Sequence, residues 1–151
     1  MKYFSLLAIA TTFLFFSCGE SEEKLPDNVI KNSQGLDIDL EWETGGSSQK
    51  AIEDANLDLY LYQGENQIDP SVYYSSFETV SIQSHFKDGD YTIKVKLQNS
   101  VDRVDYTIFA NGIDANESIS YSSYFLSSDK GTIVDYLKIK KEGDTYTITN
   151  L

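Results

Sequence analysis

The sequence predicts an all-β fold: one antiparallel β-sandwich, jelly-roll or Ig-like, of about eight strands over residues 35–151. Three observations predict it. Apolar and polar residues alternate with period two through most of this region, the pattern of a strand with one buried face. Turn signals rich in Gly, Asp and Asn separate the alternating runs. The runs recur at roughly 10–15 residues, a spacing that suits a sandwich or barrel.

Leu36, Ile38 and Leu40 alternate with Asp37, Asp39 and Glu41, and Leu57, Leu59 and Leu61 alternate with Asp58, Tyr60 and Tyr62. Val80 and Ile82 then stand between Thr79, Ser81 and Gln83. Tyr91, Ile93, Val95 and Leu97 enclose Thr92, Lys94 and Lys96, and Val104, Tyr106 and Ile108 alternate with Asp105, Thr107 and Phe109. Ile119, Tyr121 and Phe125 sit among serines. Ile133, Leu137 and Ile139 lead to a turn at Lys141-Glu142-Gly143-Asp144, after which Tyr146 and Ile148 alternate with threonines. Gly143-Asp144 is a two-residue gap, so the last two strands are expected to form a hairpin. Further turns are expected at Gln63-Gly64-Glu65-Asn66, Lys87-Asp88-Gly89-Asp90, Asn111-Gly112 and Asp129-Lys130-Gly131. Residues 48–56 are the one candidate for a short helical turn.

Ahead of the strands the chain changes character. Lys2 precedes an apolar run from Tyr3 to Phe16, which ends at Ser17-Cys18 and gives way to Gly19-Glu20-Ser21-Glu22-Glu23-Lys24. A positive start, a short apolar segment and a small residue at the boundary are the parts of an export signal. The run is shorter than the ~20 residues a membrane-spanning helix needs. Ser17-Cys18 resembles the cleavage site of bacterial lipoprotein signals, although Phe15 and Phe16 stand where those signals usually have small residues. The resemblance implies removal of residues 1–17 and lipidation of Cys18. The protein would then be held in the cell envelope as an outer-membrane lipoprotein, with the membrane as a partner through that lipid. Glu20, Glu22 and Glu23 resemble the acidic surface-export tags of some Gram-negative lipoproteins, which implies outward display. A plain solvated tether accounts for the same residues. Cys18 is the only cysteine, so no disulfide forms within the chain. Residues 18–34, with Pro26, Asp27, Asn28 and Asn32, read as an acidic, polar tether.

The formal charge of −12 argues against a nucleic-acid partner, which calls for a basic footprint. Lys138, Lys140 and Lys141 form the one basic cluster, and solvated strand surface explains it. His85 is the single histidine, and no serine stands in a nucleophile-elbow motif. Neither a nucleophilic triad nor a transition-metal site is therefore expected, and the chain reads as non-catalytic.

Leu40-Glu41-Trp42, Asn56-Leu57-Asp58-Leu59-Tyr60-Leu61-Tyr62, Phe77-Glu78-Thr79-Val80-Ser81-Ile82 and Asp88-Gly89-Asp90-Tyr91-Thr92-Ile93-Lys94-Val95 follow one another in order, with Asp105-Tyr106-Thr107-Ile108 after them. Over residues 40–110 this order resembles the pre-peptidase C-terminal-type β-sandwich modules of secreted bacterial proteins. Asp88 stands where that family usually has Pro. The resemblance implies an accessory module that assists binding or secretion and in some members holds calcium.

Calcium takes several oxygen ligands at about 2.3–2.6 Å, and Asn56, Asp58, Asp88 and Asp90 are the candidates. Turn chemistry explains the same residue types. Eleven tyrosines are present. Tyr60, Tyr62, Tyr73 and Tyr74, with Tyr121 and Tyr124, could form a platform for a glycan or protein ligand, since flat aromatic faces stack well. Tyrosine is also a good strand former. Trp42, in an alternating strand, reads as core. A binding or accessory module is one expectation, a structural subunit of an envelope complex or appendage a second, and a small hydrolase a third.

The mature chain is expected to begin at a lipid-modified Cys18. Intact-mass analysis of the envelope-extracted protein checks this, and a free Cys18 thiol or cleavage elsewhere would refute it.

Overall fold

A computed structural model describes residues 24–151. The apolar leader, Cys18 and the acidic residues after it lie outside the described residues. Ten strands form two antiparallel sheets: β1 (Val29–Lys31), β2 (Gly35–Thr44), β3 (Ala55–Gln63), β4 (Asn66–Ser71), β5 (Phe77–Gln83), β6 (Gly89–Ser100), β7 (Val104–Gly112), β8 (Ser118–Phe125), β9 (Ile133–Glu142) and β10 (Thr145–Asn150). A six-stranded sheet runs in the order β1-β10-β9-β6-β3-β4, and a four-stranded sheet in the order β5-β2-β7-β8. The expected all-β sandwich is therefore present, with two more strands than the alternation marks.

The alternation is what makes the layers. Leu36, Ile38, Leu40 and Trp42 of β2 and Val104, Tyr106, Ile108 and Ala110 of β7 turn inward. They meet Leu57, Leu59 and Leu61 of β3, Tyr91, Ile93, Val95 and Leu97 of β6, and Leu137 and Ile139 of β9. Each buried Leu, Ile or Val contributes on the order of 1.5–3 kcal/mol from apolar burial. Trp42 belongs to this core. Tyr106 stacks on Phe125 with centroids 5.1 Å apart and meets Tyr136 at 5.4 Å.

The loops fall at two ends. The helix α1 (Ser48–Asp54), the β4–β5 and β6–β7 connections, the segment 126–132 and the C-terminus share one end, called here the α1 end. Ser47 caps α1 by accepting from the Lys50 N–H at 3.2 Å, and Ala51 fixes the helix on the core. Segments 32–34, 64–65, 84–88, 113–117 and 143–144 share the opposite end. Two hairpins turn there on a glycine in the left-handed region, Gly64 and Gly143, each at φ 60°. The expected hairpin at Gly143-Asp144 forms, with Glu142 opposite Thr145. The turn after β7 falls later than expected: Gly112 still belongs to the strand, and residues 113–117 make the reversal.

The tether expected over residues 18–34 is shorter than that. Ile30 is 1% exposed in the core, and β1 pairs with β10. Asn28 exchanges two hydrogen bonds with Ile148. The Asn32 carboxamide accepts from the N–H groups of Gln34 and Gly35 and donates to the Ile113 carbonyl at 3.0 Å. Asn28–Gln34 is thus part of the domain. Its one buried apolar side chain, Ile30, is too little for a periodic signal. β4 went unmarked because it is polar and contains Pro70, which only an edge strand tolerates.

If residues 29–31 belong to the core, Ile30→Ala will destabilise the domain by about 2–5 kcal/mol. Urea unfolding followed by circular dichroism measures it; a passive tether would leave the midpoint unchanged.

Candidate binding surface

The two outer faces differ in charge. The strands of the four-stranded sheet turn Asp37, Asp39, Glu41, Glu43 and Asp105 outward and carry no Lys or Arg. The six-stranded sheet carries Lys31, Lys94, Lys96, Lys138, Lys140 and Lys141. There the charges are largely paired: Lys94–Asp135 at 2.8 Å, Lys138–Asp90 at 3.0 Å and Lys140–Glu142 at 2.8 Å. Such exposed pairs each contribute up to about 1 kcal/mol. Lys141 departs from the solvated surface expected for its cluster. It is 3% exposed at the inner end of β9, and its ammonium donates to Asp88 at 2.9 Å. That bond and the Gly143 N–H hold the Asp88 carboxyl below its usual range.

On the four-stranded sheet, antiparallel register sets Glu41 beside Thr107, Glu43 beside Asp105, and Asp39 beside Phe109. It also sets Asp105 beside Tyr124 and Thr107 beside Ser122, whose hydroxyls lie 2.8 Å apart. Apart from Asp39, these residues line an open groove of about 460 Å³ together with Ser48 of α1 and Arg103. Arg103 donates from Nε and Nη2 to Asp105 Oδ1 at 2.9 and 2.5 Å. Its guanidinium lies 4.1 Å from the Tyr124 ring centroid. Asp105 thus fixes the arginine, and the arginine positions the ring.

The groove opens toward an apolar end. Of the eleven exposed large apolar side chains among the described residues, all but Leu25 and Ile68 lie at the α1 end: Val72, Tyr73, Tyr74, Phe77, Val101, Tyr124, Leu126, Ile133 and Leu151. Tyr73 and Tyr74 stand 73% and 69% exposed. The loop that carries them is pinned by Glu78, a buried carboxylate on the inner side of β5. Glu78 accepts from the Tyr73 N–H at 2.6 Å and from the Ser71 hydroxyl.

The six tyrosines of the expected platform are divided. Tyr60 and Tyr62 lie on the six-stranded sheet, where Tyr60 donates to Asp58 at 2.7 Å and Tyr62 to Gln67 at 3.1 Å. Burial first, and then Asp58, push the Tyr60 phenol above its usual range. Tyr73 and Tyr74 stand in the β4–β5 loop. Tyr121 packs against the core and Tyr124 faces out. Phe109 was missed as a site residue, although an aromatic at a solvent-facing position of an alternating strand is a readable signal.

The calcium candidates do not converge. Asn56 and Asp58 pair with Asn99 and Lys96 near one end of β6, while Asp88 and Asp90 stand at its other end. At about 3.3 Å per residue the two pairs lie roughly 20–35 Å apart. Asp58 is held by Tyr60 and Gln98, Asp88 by Lys141, and Asp90 by Lys138. His85 lies in the β5–β6 connection, at the end away from the groove, edge-on to Phe86 at 5.0 Å. The buried carboxylates Asp58 and Glu78 do not line the groove.

No protein-family model, curated protein or solved structure matches the chain.

Burial raises the Glu78 pKa above the ordinary 4.5, against the lowering effect of its two hydrogen bonds. The folded chain therefore keeps this proton to higher pH than the unfolded one. Stability from this group is greatest below pH 4.5 and falls as pH rises through the folded pKa. The unfolding free energy of wild type minus that of Glu78→Gln is expected to decline across that window and then level off. Denaturant titrations at stepped pH measure it; a constant difference would show that Glu78 titrates normally.

Proposed function

We propose that the chain is an exported cell-envelope lipoprotein, anchored through Cys18, whose β-sandwich binds a glycan or protein ligand without turnover. The observation that carries the binding reading is the gathering of exposed aromatic and aliphatic side chains at the α1 end, beside the groove of Phe109, Tyr124 and Arg103. Contiguous exposed apolar surface rimmed by polar groups marks interaction sites. Tyr and Arg are the residue types that dominate such sites. A sugar ring would stack on the aromatic faces while Glu41, Glu43 and Thr107 take its hydroxyls. A protein segment would use the same contacts.

The anchor fits this orientation. The Val29 N–H bonds the Pro26 carbonyl at 3.0 Å, which turns the chain back. Residues 24–27 then lie along a groove with Asn116–Ile119, toward the end opposite α1. About ten residues separate Cys18 from β1, a reach of at most ~35 Å. A domain held so closely at that end would present its α1 end away from the membrane. The resemblance to accessory modules of secreted proteins and the acidic Glu20, Glu22 and Glu23 agree with outward display. An assembly subunit is the second reading, favoured by the open edge of β8 described below.

Glycan and envelope-protein panels test the binding reading. The full chain is expected to retain a ligand that Tyr74→Ala and Tyr124→Ala each weaken about tenfold or more, with circular dichroism unchanged. Hydrolysis of a panel member, abolished by one carboxylate substitution, would overturn it.

A further inference from the structure

Two open sheets have four edges, and three of them are guarded. β1 is only three residues long. β4 carries Pro70 and pairs with β3 through a register shift at Leu61/Tyr62. β5 lies against β4 at the seam where Glu78 binds Ser71 and the Tyr73 N–H. Short strands, Pro, bulges and covering segments are the usual ways of blocking edge pairing. The fourth edge, β8, has none of them. Ser118-Ile119-Ser120-Tyr121-Ser122-Ser123-Tyr124-Phe125 holds no charge, Pro or Gly. Its register with β7 is continuous over eight residues. β7 is its sole strand partner among the described residues, and only Ser118 and Ile119 lie near the N-terminal segment.

We propose that β8 is an assembly edge, pairing antiparallel with β8 of a second copy about a two-fold axis through Ser122. Residues opposite one another across an antiparallel pair share a face, so inward residues must meet inward ones. A two-fold through Ser122 satisfies this. Ile119 meets Phe125 of the second copy and Tyr121 meets Ser123 on the inner face. Ser120 meets Tyr124 and Ser122 meets itself on the outer face. The match is self-complementary, as an isologous contact requires. Every apolar residue of the strand's inner face gains a partner across the joint. No carboxylate lies on the joining strand, and Asp105, the acid next to it on β7, is paired with Arg103. The chain's high negative charge therefore raises no ion directly opposite another. The two four-stranded sheets become one of eight strands. Both grooves then lie on the same side of it, which makes the assembly bivalent toward a repeating ligand.

Cysteine substitution in the full chain, purified in detergent, tests the register. Ser122 faces its own copy with Cβ atoms about 4.5–5.5 Å apart, within disulfide reach after small adjustment. Under mild copper–phenanthroline oxidation, S122C is expected to give a disulfide dimer well above the wild-type background. T149C, an equally exposed position on the six-stranded sheet, is expected not to. S122K places two ammonium groups opposite each other and is expected to raise the dimer dissociation constant at least tenfold in sedimentation equilibrium. S120K, opposite Tyr124 rather than itself, is a second edge variant expected to weaken the dimer less. The proposal fails if S122C cross-links no more than T149C. It fails equally if the wild-type chain sediments as a monomer at every concentration, or if S122K leaves the equilibrium unchanged. Tyr74→Ala, in the β4–β5 loop away from β8, separates the two readings: it is expected to weaken ligand retention and leave the dimer dissociation constant unchanged, whereas a wild-type chain that stays monomeric yet retains its ligand overturns the dimer alone.

Discussion

The structure depends on closing a six-stranded sheet over a four-stranded one. Facing sheets exclude water from their inner residues only where both are present, and strands lie ~4.8 Å apart within a sheet. The wider sheet has two strands more than the other, and its margins must be sealed. One flank is sealed by β4 meeting β5, where Glu78 gathers the Ser71 hydroxyl and the Tyr73 N–H. The other is sealed by β1, through Ile30 in the core and Asn32 bonded to the Ile113 carbonyl. The open α1 end is covered by Ala51 of the helix and by the Tyr106–Phe125–Tyr136 cluster. Both polar pins are buried side chains with their hydrogen bonds made, which is the condition under which burying them is tolerable.

Eight strands were legible because each has one buried and one wet face, and a period of two survives any detail of packing. What was illegible lacks that period. β1 offers a single inward residue, and its flanking Asn28 and Asn32 are turn formers by composition. Only the tertiary partners Ile148 and Ile113 reveal them as pins. β4 is polar because it lies at an edge. Lys141 looked like its neighbours Lys138 and Lys140, yet it falls on the inward parity of β9 with Leu137 and Ile139. Parity alone places it, but solvated lysine is so common on strands that composition argues the other way.

The candidate surface is half legible for the same reason. Tyr121 and Tyr124 stand three residues apart, an odd number, so one strand must turn them to opposite faces. The alternation that identified β8 already excluded them from one platform. Phe109 follows the opposite logic. It occupies the outward parity of β7 beside Asp105 and Thr107, and an aromatic in that position is surplus to the core. The calcium candidates share β3 and the start of β6, but their register keeps them apart. Antiparallel pairing puts the start of β3 beside the end of β6, which carries Asn56 and Asp58 away from Asp88 and Asp90.

Charge and edge chemistry then divide the surface by use. The six-stranded sheet neutralises itself through cross-strand Lys–carboxylate pairs, and both of its edges are blunted, so it invites little. The four-stranded sheet does the reverse: unneutralised acids on its face, aromatic side chains at the α1 end, and an uncharged free strand at its margin. A purely structural sandwich has no need to leave such an edge bare when a single lysine on β8 would close it to pairing. Ser120 and Ser122 both face solvent and would accept that lysine without touching the core. Serine at both positions keeps the margin open, and it does so beside the groove that Tyr124 and Arg103 shape.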